Sequence, residues 1–392
     1  MLKVIINYQI ILLIILLNCQ TSWSDDNPPE YDLWLSNMTT SGESICVQVE
    51  DAHTSDSYYT RRDSVYYDGA RSFWQIADYL TGDSDVSRWV HCAEYADDNY
   101  VFYLEARLDA ETYNVPGYWR FPHGLYLSWL KSGDPIYITH LKRLRDRNPF
   151  YDPAAFGGAP TWYYQKYSRE VAYSIQTHIW AQKAGVSPNN TALNTLVDMA
   201  LNHLDEWHTG NFGDPDASQH FRQSFMVGLT MAALIEYYDE ISQDARIPTA
   251  IQTAIDDLWL QMWVPDASNP GLGQSYPQFT PGYGSFWNWA DWTGTEYDID
   301  ETHWASSPNV APDLNNLISP AYAWIFKNTG LFEYRDKGDL IFAGGVKNAW
   351  LGYPKNFNQN YRWSFDYIKF RREGDAIHQR PPTPEIKSIT IQ

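Results

Sequence analysis

Apolar residues along this chain recur every three to four positions, in stretches broken by short polar turns. Phe73, Ile76, Ala77 and Leu80 form one stripe before Thr81-Gly82-Asp83; Phe225, Met226, Leu229, Ala233 and Ile235 form another before Ser242-Gln243-Asp244. That is the period of a helix with one buried face. Further breaks stand at Ser132-Gly133-Asp134, Ala184-Gly185 and Thr329-Gly330, and a glycine after the last helical turn is an expected stop. The breaks come about every fifty residues, the spacing of helix–turn–helix units stacked side by side. The last interval is longer by a Gly-, Pro- and Trp-rich stretch, 266–312, which reads as an insertion. Five hairpins are predicted, starting near Tyr66, Trp119, Tyr167, Phe221 and Asp313. The segments before Tyr58 and after Asn356 either close the set or cap it with short strands. Alternating apolar runs and hairpin dipeptides are scarce, so the pattern predicts one all-α domain over 58–392, preceded by an extension at 25–57.

The first two dozen residues have a different pattern. Lys3 precedes the apolar run Ile10–Leu17, and Ser22-Trp23-Ser24 stands before Asp25. A basic start, a short greasy run and small residues at a cleavage position describe a signal peptide over 1–24, hence a secreted or periplasmic protein. The run is shorter than the roughly 20 residues of a membrane span, and no second one follows, so no stable membrane insertion is expected. Lipid anchoring at Cys19 is disfavoured because Asn18 is bulkier than the residue such a site wants. Cys46 and Cys92 would remain, either as one disulfide of an oxidising compartment or as two buried thiols.

Charge narrows the partners. The 392 residues carry a formal net charge of −20, and a field of that sign repels nucleic acid and anionic bilayers. The 18 Trp and 29 Tyr supply amphipathic rings suited to a wet groove as well as to a core.

The turns Leu80–Asp83 and Leu130–Asp134, with the run Asn316-Leu317-Ile318-Ser319-Pro320-Ala321-Tyr322-Ala323-Trp324, resemble the (α/α) toroid of six-hairpin glycosidases and polysaccharide lyases. The resemblance is architectural and covers most of 58–370. It implies a toroid of five to six hairpins, a groove at one end lined by the loops before the inner helices, and carbohydrate chemistry. A polysaccharide or oligosaccharide is then the expected partner.

Those entry loops share a character. They read Tyr66-Tyr67-Asp68-Gly69-Ala70-Arg71, Tyr118-Trp119-Arg120-Phe121-Pro122-His123-Gly124, Tyr167-Ser168-Arg169-Glu170-Val171-Ala172-Tyr173, His220-Phe221-Arg222-Gln223-Ser224 and Asn358-Gln359-Asn360-Tyr361-Arg362-Trp363. Each sets an arginine beside an aromatic, although helix starts favour anions. One cause would be a basic groove for carboxylates, aided by helix N–H groups. The other is local pairing, Arg71 with Asp68 and Arg169 with Glu170, or stacking on the neighbouring rings.

In the first case the chemistry is β-elimination on a uronate polymer. A cation neutralises the carboxylate, a Tyr or His removes the C5 proton, and a Tyr protonates the leaving oxygen. The residues expected to act are His123, Arg169, Glu170, Tyr173, His220 and Arg222. Those expected to bind substrate are Arg71, Trp119, Arg120, Tyr167, Trp287, Trp289, Trp292 and Arg362. One alternative is a glycoside hydrolase with paired carboxylates drawn from Asp68, Glu170, Asp291 and Asp313; pairing with Arg169 would make Glu170 a poor general acid, and Asp313 after Pro312 suits a helix cap. Another is a noncatalytic glycan-binding envelope protein using the same aromatic groove. The aromatic load of Gln274–Trp304, with Trp287, Trp289 and Trp292, suits either a wall over a sugar or a cover over core. Asp298, Asp300, Glu301 and His303 lack the oxygen spacing of a calcium loop, and no metal or cofactor is expected.

Overall fold

A computed structural model describes residues 27–82, 85–108, 115–147, 164–299 and 309–378. The export segment 1–24, Cys19, and the acidic and aromatic residues 300–308 lie outside the described residues. Among those described, the chain is built from helices: α1 (Tyr31–His53), α2 (Tyr58–Ser64), α3 (Gly69–Tyr79), α4 (Val86–Leu108), α5 (Pro122–Ser132), α6 (Pro135–Asp146), α7 (Ser168–Lys183), α8 (Asn190–Thr209), α9 (Ser224–Glu240), α10 (Arg246–Met262), α11 (Asn315–Thr329), α12 (Phe332–Asn348) and α13 (Pro354–Ile377). The all-α class read from the periodicity is the observed one. No described helix is long and apolar enough to cross a membrane.

The odd-numbered helices from α3 to α13 form a closed circuit of contacts. α3 packs on α5, α5 on α7, α7 on α9, α9 on α11, α11 on α13, and α13 returns to α3. Each also packs on a second-layer helix: α4, α6, α8, α10 and α12 on the helix preceding each, and α1 on α13. The sixth pair therefore joins the two ends of the described chain. Burial follows this order. Residues Asn315–Phe326 of α11 are all buried, as are Glu170–Ala181 of α7, because such a helix is covered on every side and loses the polar face of a surface helix.

The N-terminal stretch set apart as an extension belongs to the same core. Trp34, Met38, Ile45 and Val49 of α1 are fully buried. The Trp34 indole donates to Ser364 Oγ at 2.9 Å, and the Tyr361 hydroxyl donates to the Trp34 carbonyl at 2.8 Å. Cys46 and Cys92 form a disulfide between α1 and α4. The glycine stops hold where the chain must turn: Gly133 and Gly330 both have a φ of 73°, a conformation that strains residues with a Cβ.

The insertion contributes three short strands, which pair with two that precede it. β1 (Phe221–Gln223), β4 (Trp289–Trp292) and β5 (Tyr297–Asp298) form one antiparallel sheet, and β2 (Trp263–Val264) with β3 (Ser285–Phe286) another. The aromatic wall expected here is mostly a packing element. Trp287 is 4% exposed and part of the core. Trp289 stacks on Phe221 at 3.9 Å, and Trp292 packs edge-on against Tyr297 and Phe212.

Candidate functional site

The backbone before α3 is strained. Tyr67 and Asp68 have φ of 63° and 67°, consecutive left-handed residues without glycine, a state that persists only when its surroundings enforce it. Three side-chain bonds enforce it here. Asn358 Nδ2 donates to the Tyr66 carbonyl at 3.0 Å, and the Asp68 carboxylate accepts the amide N–H of Arg71 at 3.3 Å and that of Gly124 at 3.1 Å. A Cβ on residue 124 would stand 2.3 Å from Asp68 Oδ1, so glycine is required for α5 to start against this turn. Asp68 thus accepts two backbone N–H groups.

The strained turn presents Tyr66 and Tyr67 to α7. Tyr66 lies edge-on to Trp119 at 4.2 Å, and Arg169 stands 4.9 Å from the ring of Tyr118. The Arg169 guanidinium pairs with Glu170, Nη2 to Oε1 at 2.9 Å, while Glu170 Oε2 is buried without a partner. One turn further along α7, Tyr173 is wholly buried and its hydroxyl has no partner. The Arg362 guanidinium from α13 sits 5.4 Å from that ring and 4.3 Å from the ring of Trp363. Arg362 is 0% exposed; its Nη2 donates to Gln176 Oε1 at 2.8 Å, but Nε and Nη1 find no partner. Gln359 Nε2, Asn316 Oδ1 and Ser319 Oγ are also buried and unpartnered. Orphaned polar atoms are costly, and α7, α11 and α13 each carry them.

Burial sets the proton affinities. It raises the hydroxyls of Tyr66, Tyr67 and Tyr173 above the ordinary tyrosine value, with Arg169 opposing at Tyr66 and Arg362 at Tyr173. All three are neutral proton donors rather than phenolates.

Several residues expected at this site are elsewhere. Arg120 is fully buried and donates to the backbone carbonyls of Leu144, Val115 and Arg147; burial lowers its pKa to about 10. It ties the C-terminal end of α6 to the segment before α5. Arg222 is 1% exposed, ion-paired with Asp257, and lies 3.7 Å over the Tyr297 ring, so it joins the insertion to α10. His220 bonds through Nε2 to the Asp214 carbonyl at 2.7 Å and stacks on Phe212. Arg71 does not pair with Asp68 but bridges Glu236 at 3.1 Å and Asp366 at 2.7 Å. His123 stacks on Trp180 at 3.6 Å, and burial, with Arg71 and Arg362 nearby, lowers its pKa well below the usual histidine value. Arg71 and His123 line a different cavity. Asp291 accepts the Trp289 indole N–H, and Asp313 accepts the Trp350 amide and the Asn356 side-chain amide.

Of the predicted set, Arg169, Glu170, Tyr173 and Arg362 converge, with Trp119 beside them and Tyr167 half-buried just before α7. Sequence reasoning missed Tyr67, Asn316, Ser319 and Gln359. The signals were present: Asn315-Asn316 opens an otherwise apolar helix, and Asn358-Gln359-Asn360 precedes Arg362. Among the described residues no group of His, Cys, Asp or Glu is arranged to hold a metal ion. Comparison of the chain with family models, with curated proteins and with solved structures gives no match.

Proposed function

We propose that the protein is an (α/α) toroid enzyme, exported through its N-terminal signal, that cleaves an acidic, uronate-containing glycan by β-elimination. The closed circuit of six helices with a second layer supports the toroid. The observation that carries the reaction is Arg362: a wholly buried guanidinium with two unpartnered N–H donors, facing a tyrosine whose hydroxyl is also unpartnered. A buried cation favours an anionic ligand, and a uronate carboxylate is planar and accepts paired N–H bonds.

In this reading Arg362 binds the carboxylate and stabilises the charge that develops when the C5 proton leaves. Glu170 Oε2, held in place through the Arg169 pair on Oε1, takes that proton. The electron pair forms the C4–C5 double bond, the C4–O bond breaks, and the Tyr173 hydroxyl protonates the departing oxygen. The half-buried Tyr66 offers its ring to the sugar, while the buried Trp119, under the Arg62 guanidinium, supports it from behind. Hydrolysis finds less support here, because Asp68, Asp291 and Asp313 are held by local partners.

The test is digestion of a panel of uronate polymers. An ultraviolet absorbance from unsaturated ends, appearing together with new reducing ends, is the expected result. Reducing ends without that absorbance would overturn elimination in favour of hydrolysis, and binding without any product would leave a glycan-binding protein.

A further inference from the structure

A cavity of about 220 Å³ is lined by all six helices of the circuit: Arg71 from the first turn of α3, His123 from the first turn of α5, Trp180 and Glu236 from near the C-terminal ends of α7 and α9, Pro320 from α11 and Asp366 from the middle of α13. Asp239, Glu240 and Lys369 line it and are exposed, whereas Arg71 and Trp363 are only 2% and 1% exposed. It is therefore open to solvent at one side and polar in its depth.

The polar groups are of both kinds. Two donors are buried without partners, Trp363 Nε1 and Arg71 Nε, and so is one ring nitrogen, His123 Nδ1, which gives or accepts according to the tautomer. Two of the carboxylates are only partly engaged, Asp366 through Oδ2 to Arg71 and Asp239 through Oδ1 to the Trp324 indole. Trp180 is fixed by its N–H to Glu236 Oε2 at 3.0 Å and by stacking on His123, and Phe370 adds a second ring. Donors and acceptors interspersed with flat apolar faces match a sugar ring, whose hydroxyls both give and accept hydrogen bonds and whose C–H face lies on an indole. The volume is below the roughly 300 Å³ at which drug-sized pockets begin, which restricts the ligand to a single ring. The four lining carboxylates outnumber the two cations, Arg71 and Lys369, so an anionic sugar is repelled.

We propose that this cavity binds a neutral hexose, at a site separate from the one assigned to the acidic glycan and independent of that assignment. Saturation-transfer NMR on the whole protein with glucose, galactose and mannose, and with glucuronate as the anionic counterpart, tests it. Transfer to at least one neutral hexose is expected, and little to glucuronate. Ala232 of α9 also lines the cavity, and Ala232→Phe fills it while leaving the Arg71 pairs intact and should weaken binding about tenfold or more; Asp366→Asn should also weaken it, while Arg169→Ala should not. Melting curves establish that each variant folds, and Asp366→Asn carries the test if Ala232→Phe does not. No transfer to any of the three hexoses, equal binding of glucuronate, or binding that survives both cavity variants would overturn the proposal. Glycan cleavage by Ala232→Phe should be unchanged, so failure of either site leaves the other reading standing.

Discussion

The guanidinium of Arg362 and the ring of Tyr173 face each other 5.4 Å apart inside the helical circuit, each with hydrogen-bonding capacity that no described residue uses. If these atoms meet substrate, removing them should cost turnover and leave the fold. Tyr173→Phe keeps the ring and should lower the cleavage rate by about a hundredfold or more, the range of a lost proton donor, with the melting temperature unchanged or higher. Arg362→Lys keeps the charge but not the paired N–H geometry, and should raise KM for uronate polymers more than Tyr173→Phe does. Steady-state kinetics with a melting curve for each variant checks both. Equal loss of stability and activity would assign the pair to packing.

Gly124 and Asp68 form a mutually dependent contact. Asp68→Ala removes the acceptor of two buried N–H groups and should destabilise by about 1–3 kcal/mol. Gly124→Ala places a methyl where the carboxylate now stands and should cost a similar amount through overpacking. The two residues share one contact, so the double variant should lose less than the sum of the singles. Urea denaturation of all three variants measures this.

The helical class was legible because its cause is local: a three-to-four-residue apolar period and glycine stops are written in adjacent positions. The pairing of α1 with α13 was legible only as one of two open alternatives, closure or a strand cap, since Trp34 and Ser364 are 330 positions apart and no local pattern joins them. The site divides in the same way. Arg169, Glu170 and Tyr173 share one helix start, and their convergence follows from helical geometry. Arg120 and Arg222 look identical to Arg169 in sequence, an arginine beside an aromatic at a helix entry, yet each turns to backbone carbonyls or to Asp257 from another element. The sequence motif sets the residue type, and the neighbouring element decides what the guanidinium meets: Asp257 at Arg222, backbone carbonyls at Arg120 and a tyrosine ring at Arg362.

The Cys46–Cys92 bond joins positions 46 residues apart and tethers the first helix to the fourth. Closing a loop of that length removes chain entropy from the unfolded state worth about 4 kcal/mol in the loop-entropy model. The Cys46→Ser/Cys92→Ser variant, or the reduced protein, should therefore unfold at a markedly lower denaturant concentration. The change in midpoint between oxidised and reduced samples in guanidinium measures it.

Asp97 should make stability fall as pH rises out of the acid range. Its carboxyl is 0% exposed on α4; Oδ2 accepts the Trp74 indole N–H at 3.1 Å and the Ser128 hydroxyl, and Oδ1 has no partner. Burial drives its pKa well above the ordinary carboxylate value, outweighing those two bonds. The folded state therefore holds this proton more tightly than the unfolded chain. Its contribution is complete below the unfolded carboxylate pKa, about 4, and is lost as pH climbs from there through the folded value. Asp97→Asn is neutral at every pH and keeps an oxygen for Trp74 and Ser128. It should match the wild type in acid and become the more stable of the two as pH rises toward neutral. Urea denaturation of both proteins at a series of pH values tests this: a difference that stays constant across the series, or that widens on acidification, would show that Asp97 is ionised in the fold.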